Sequence, residues 1–213
     1  MCYNMETSIS VYIIGMIAGT LLYITGDKYD KHISLFVFAF THIQIAEFFM
    51  WYDEDCTKGI NHLATLFLYF VFVLQCLSII IGAIIFKTTT INNKVLYGIL
   101  ISFIIVLVIT TIYEYEGYKN GKKCSQNKEN HPFLLWDMDV NIMYFSYLMA
   151  MLIFCFMKDF NKVMILVFVS GSLLLHSLYN VKTYIREFES IWCMRNVSLP
   201  IIILLYNFFQ KNM

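Results

Sequence analysis

Apolar residues fall into seven runs along the chain, at about 8–25, 32–52, 59–86, 94–113, 140–157, 161–181 and 192–210. With a rise of about 1.5 Å per residue, roughly 20 helical residues cross the hydrocarbon core of a bilayer. Each run reaches or approaches that length. Lipid offers no partners to backbone N–H and C=O groups, so each run is predicted to be a helix. The expected fold is all-α, a polytopic membrane bundle of seven transmembrane helices forming one domain over residues 1–213. The third run is longer than the core requires and should tilt or project into water. Connections are short except for a polar loop at 114–139, which ends in His131-Pro132-Phe133-Leu134-Leu135-Trp136.

Composition agrees with the pattern: 59% of residues are hydrophobic and 14% charged, which leaves no room for a soluble second domain. The formal net charge is zero, so no nucleic-acid partner is expected; the partner in view is membrane lipid. The N-terminus offers no basic segment and no small-residue cleavage site before the first run, so that run reads as a retained helix rather than a signal peptide.

Seven spans place the termini on opposite sides. Loops 53–58, 114–139 and 182–191 then share one face with the N-terminus, and turns 26–31, 87–93 and 158–160 share the other with the C-terminus. Nearly all acids map to the N-terminal face, whereas Lys and Arg are about equally divided. Trp51, Trp136 and Trp192 fall at the N-terminal-face boundary, where an aromatic belt belongs. Cys56, Cys124 and Cys193 gather on that face, with Cys2 near it, and predict at least one disulfide. Together these place the N-terminus in a lumenal or extracellular compartment and the C-terminus in the cytoplasm.

Within the spans, Glu47 stands out, because a carboxylate in hydrocarbon demands a partner and marks a functional-site candidate. Thr41, Gln44, Glu47 and Trp51 recur at helical spacing on the second run. The third carries Asn61, His62 and Thr65, the fifth Asn141 and Tyr144, the sixth His176 and Asn180, and the seventh Asn196. Glu47 and His176 lie about five residues below the N-terminal face, or roughly 8 Å at helical rise. Gln44, Glu47, Asn61, His62, Thr65, Asn141, Tyr144, His176, Asn180 and Asn196 are therefore expected to line one pocket open to that face. Glu47, His62 and His176 should converge in it. His42 lies deeper, near the level of Gln75. Intramembrane Asn, Gln, Thr and His can also serve only to join helices.

Four functions fit these residues. A binder or transporter of a small molecule or lipid would hold a polar group on Glu47 and His176 and an apolar body on aromatics. A membrane-embedded zinc hydrolase would use Glu47, His62 and His176 as metal ligands. Seven-helix hydrolases of the alkaline-ceramidase and progestin-receptor-like superfamily are the comparison, but the seventh run lacks their His-x-x-x-His pair, and neither G-x-S-x-G nor H-E-x-x-H occurs. A proton or ion pathway would titrate Glu47 with His42 or His176. Retinal is not expected as a cofactor, since Trp192–Gln210 contains no lysine for a Schiff base. A scaffold would leave Glu47 a structural acid. Gly15-Met16-Ile17-Ala18-Gly19 should pack the first helix internally, and Asp53-Glu54-Asp55 reads as a solvated loop.

The run His42-Ile43-Gln44-Ile45-Ala46-Glu47-Phe48-Phe49-Met50-Trp51, followed by Asn61-His62 and Thr65, resembles a pattern in uncharacterised multi-pass proteins of large DNA viruses and protists. The resemblance centres on the second and third runs. It implies a seven-helix membrane protein and brings no activity with it.

Overall fold

The computed structural model describes residues 4–120, 123–127, 134–135, 148, 151–166 and 198–212. Four helices come first: α1 (Met5–Thr25), α2 (Lys28–Tyr52), α3 (Ile60–Phe86) and α4 (Asn93–Asn120). Helical residues follow at 151–155 and 160–166, and α5 (Ser198–Asn212) closes the chain. The strands among the described residues are two-residue pieces, β1 (Gln126–Asn127) antiparallel to β2 (Leu134–Leu135). The architecture is thus helical, and α1, α2 and α3 are each long and apolar enough to cross a membrane.

α2 lies at the centre, packed against α1, α3 and α5, while α4 packs on α3. Burial follows this order: 67% of the apolar window of α2 is buried, 56% of that of α3 and 28% of that of α1. The inner layer is aliphatic and aromatic, with Ile33, Phe36, Phe40, Ile43, Leu68, Phe72, Ile79 and Ile80 all buried. Outer faces stay apolar, as lipid contact requires: Ile13, Ile17 and Ile24 on α1 and Ile101, Ile105 and Ile109 on α4 are exposed.

Helix starts are set by local chemistry. Asn4 Oδ1 accepts the Thr7 N–H at 2.8 Å and caps α1. Asp27 and Asp30 form a reciprocal capping box at the head of α2. This begins α2 at Lys28, four residues before the apolar run, because capping and not hydropathy fixes the start. The far end of α4 departs the other way. Its helix continues to Asn120, into the segment expected to be loop, since leaving the hydrocarbon does not itself break backbone hydrogen bonds.

The helix pairs are close-fitting. In the Gly15–Gly19 motif, a Cβ on Gly19 would come within 3.0–3.2 Å of Phe38 and Val37, so the motif seats α1 on α2. At the opposite end of α2, His32 is fully buried, with Nδ1 2.7 Å from Thr88 Oγ1 and Nε2 2.8 Å from the Ile79 carbonyl. Its ring, at Cδ2, occupies the space where Gly82 would carry a Cβ. Gly82→Ala is expected to destabilise the protein by about 1–3 kcal/mol through overpacking, read as a lower unfolding temperature in detergent. An unchanged temperature would show that His32 can move aside.

Candidate functional site

The turns gather at two ends. At one end, Thr90 N–H donates to Phe156 O at 2.9 Å and Lys158 N–H to Thr88 O at 2.8 Å, joining the turn after α3 to residues 156–158. The same end holds a buried charge cluster. Lys162 Nζ lies 2.6 Å from Asp30 Oδ1 and 2.9 Å from Asp27 Oδ1, and Asn207 of α5 donates to Asp30 Oδ2 at 2.9 Å. Partial burial works against ionisation of Asp27, but the Lys162 ammonium and the N–H groups of Asp30 and Tyr29 outweigh it and hold the carboxyl below its ordinary value. Counting charge by face passed over this cluster. The signal was present in Asp27-x-x-Asp30, a capping-box spacing ahead of an apolar run.

At the other end, Asp53 departs from the solvated-loop reading. It is buried, and its carboxylate accepts the N–H groups of Lys58 at 2.9 Å and Asn61 at 3.0 Å. Gly59, the residue before α3, provides no side-chain cap, so Asp53 supplies the negative charge that the head of α3 favours. Desolvation opposes it, but the N–H groups of Asn61, Lys58 and Ile60 hold the Asp53 carboxyl below its ordinary value.

Asn61 then captures residues 123–127. Its Nδ2 donates to Ser125 O at 2.7 Å and to Met50 O at 3.0 Å, and its Oδ1 accepts the Ser125 N–H at 2.8 Å. The Thr65 hydroxyl meets the Ser125 hydroxyl at 2.8 Å. The Lys123 N–H donates to His62 Nδ1 at 2.9 Å. A disulfide between Cys56 and Cys124 fastens the segment covalently, with 6.0 Å between Cα atoms. The expected disulfide among Cys56, Cys124 and Cys193 is therefore present; Cys2 and Cys193 lie outside the described residues.

Beneath this segment, Gln44 and Glu47 on α2 and Asn61 and Thr65 on α3 have no exposed surface, and His62 is 6% exposed. Glu47 thus faces the bundle and not lipid. The structure brings Asn61, His62 and Thr65 together around residues 123–125. Thr41 points to α1, bonding Met16 Sδ at 3.4 Å and carbonyls of its own helix. His42 lies against Tyr12 of α1, ring centroids 5.6 Å apart, and bonds the Phe38 carbonyl at 2.6 Å. Trp51 is half-buried beside an open cleft lined also by Tyr52, Glu54, Asp55, Lys58 and Gln126. Asn141, Tyr144, His176, Asn180 and Asn196, with Trp136 and Trp192, lie outside the described residues. The convergence of His176 with Glu47 and His62 falls there too. Among the described residues no cluster of three His, Cys, Asp or Glu side chains has metal-site geometry. No family model matches the chain, nor does any curated protein or solved structure.

Proposed function

We propose that this is a seven-span membrane protein that binds or transports a small molecule or lipid, holding its polar end in the layer between α2 and α3 beneath residues 123–127. The observation that carries the reading is a carboxylate, Glu47, fully buried inside a span and in one layer with Gln44, Asn61, His62 and Thr65. A carboxylate at that depth is costly, and chains keep it where it serves a ligand or a charge partner. His176, Asn180, Asn141, Tyr144 and Asn196 complete the lining in this reading.

Two features support the topology within the proposal. Asn207, near the end of α5, bonds Asp30 at the end of the bundle opposite Met5, which fits termini on opposite sides. The Cys56–Cys124 disulfide fits an oxidising compartment on the N-terminal side, lumenal or extracellular, with the C-terminus cytoplasmic. The His42–Trp51 pattern and its multi-pass resemblance point the same way.

The test is extraction of the purified protein in lipid nanodiscs, followed by mass spectrometry of the retained molecules. Glu47→Gln keeps the side-chain volume but removes the charge. Losing a charged hydrogen bond of about 1.5–3 kcal/mol should cut retention of one molecular species roughly tenfold or more, with little change in unfolding temperature. Identical extracts from both proteins would overturn the reading and leave Glu47 a structural acid.

A further inference from the structure

The Cys56–Cys124 bond stands between solvent and the buried polar layer. On its outer side, Gln126 Nε2 lies 4.0 Å from Cys56 Sγ, and Gln126 also lines the open cleft beside Trp51 and Tyr52, of about 540 Å³. The cleft brings an incoming thiol to the Cys56 sulfur. On the inner side, Ser125 follows Cys124 directly and is fully buried, with its hydroxyl on Thr65 and its backbone on Asn61. Asn61 also bonds the Met50 carbonyl, which ties α3 to α2 at this level. Glu47 lies about one turn deeper than Met50 on α2, and Thr65 about one turn deeper than Asn61 on α3. Residues 123–125 therefore close the α2–α3 seam above Glu47.

Apart from the sulfur bridge, the hold on these residues is reversible. The bonds to Asn61 and Thr65, and that of the Lys123 N–H to His62, are individually modest and exchange readily for bonds to water. Farther along, Asn127 pairs with Leu134, which is fully buried, so β1–β2 stays an anchor when the bridge is gone. Cys56 has φ 57°, in the left-handed region that L residues seldom occupy, and release from Cys124 removes one restraint holding it there. The segment is thus built as a lid, anchored at one end and latched covalently at the other.

We propose that residues 123–125 are a redox-latched lid over the Glu47 layer, opened by a dithiol reductant; that the layer holds a ligand rests on the function proposed above. One thiolate of the dithiol attacks Cys56 Sγ, the bond to Cys124 breaks, and the Cys124 thiolate takes up a proton. The second thiol then displaces Cys56 from the mixed disulfide. The protein gains two electrons and two protons, and the reductant leaves as its own disulfide. With the latch open, hydrogen bonds alone hold the lid, and polar molecules reach Glu47 from the N-terminal face.

The test follows access to Glu47 rather than ligand. The purified full chain in detergent is treated with dithiothreitol or left oxidised, then alkylated with iodoacetamide and desalted. It is labelled with a water-soluble carbodiimide and glycine methyl ester, and peptide mass spectrometry reads each carboxyl. Glu47 labelling should rise at least tenfold on reduction. Exposed Glu54 should label equally in both states, and Asp30, buried at the far end of the bundle, in neither. Cys56→Ser with Cys124→Ser, which never forms the latch, should label like the reduced protein. Three results would overturn the proposal: Glu47 labelling unchanged by reduction, Glu47 labelled as fast as Glu54 in the oxidised protein, or Asp30 labelling that rises with Glu47. The last would make the bond a staple of the whole bundle. Identical extracts from wild type and Glu47→Gln would remove the ligand and leave the labelling result standing, so the two readings fail separately.

Discussion

Lys162→Met is expected to destabilise the protein by about 3–5 kcal/mol, the usual consequence of removing one partner from a buried ion pair. The size follows from burial: the side chains of Lys162 and Asp30 are 4% and 2% exposed. Methionine fills the lysine stem's volume but leaves the Asp30 carboxylate, among the described residues, with Asn207 and the Asp27 N–H as donors. Asp27 is half-exposed and can be rehydrated, so Asp27→Asn should cost far less. A double variant, Asp30→Asn with Lys162→Met, should regain most of the loss, because it buries no unpaired charge. Thermal or denaturant unfolding in detergent measures all three. A Lys162→Met loss below about 1 kcal/mol would mean that water reaches the pair.

The second large effect is expected from the disulfide. Cys56 and Cys124 are 68 residues apart, and a loop of that length corresponds to about 4 kcal/mol of chain entropy removed from the unfolded state. Cys56→Ser with Cys124→Ser should lower the unfolding temperature, and so should reductant applied to the wild type. Hydrogen exchange separates this bond from its neighbours. Asn61 should keep Ser125 partly protected after the disulfide is lost, whereas Asn61→Ala alone should free its N–H even with the disulfide intact. Indifference of the wild type to reductant would show that the hydrogen bonds of Asn61, Thr65 and His62 suffice to hold the segment.

The first three helices were legible because crossing a bilayer would impose a length on them. Runs at 8–25, 32–52 and 59–86 correspond to α1, α2 and α3 within a few residues. What escaped was chemistry resting on partners far away in the chain. Asp30 and Lys28 look alike in hydropathy, yet Asp30 is buried because Lys162 and Asn207 come to it, 132 and 177 residues later. Asp53 sits in an acidic triplet, and its composition cannot reveal that it caps α3. Asn61, His62 and Thr65 were singled out as candidates on the third run, but nothing local indicated that residues 123–125 would meet them. Gln75 was noted only as a depth match for His42, whose ring instead lies against Tyr12.

The separation between Asp30 and its partners also bears on how the chain is made. Ribosomes add about 5–20 residues per second, so Asp30 waits roughly 7–26 s for Lys162 to be synthesised, and longer for Asn207. α1, α2 and α3 can pack as they are inserted, since their contacts are between neighbours in sequence. Throughout that interval the acid remains at the head of α2 without its ammonium. A nascent chain halted before Lys162 would display that unneutralised acid to the quality-control machinery of the membrane, and only a nearly complete chain would conceal it.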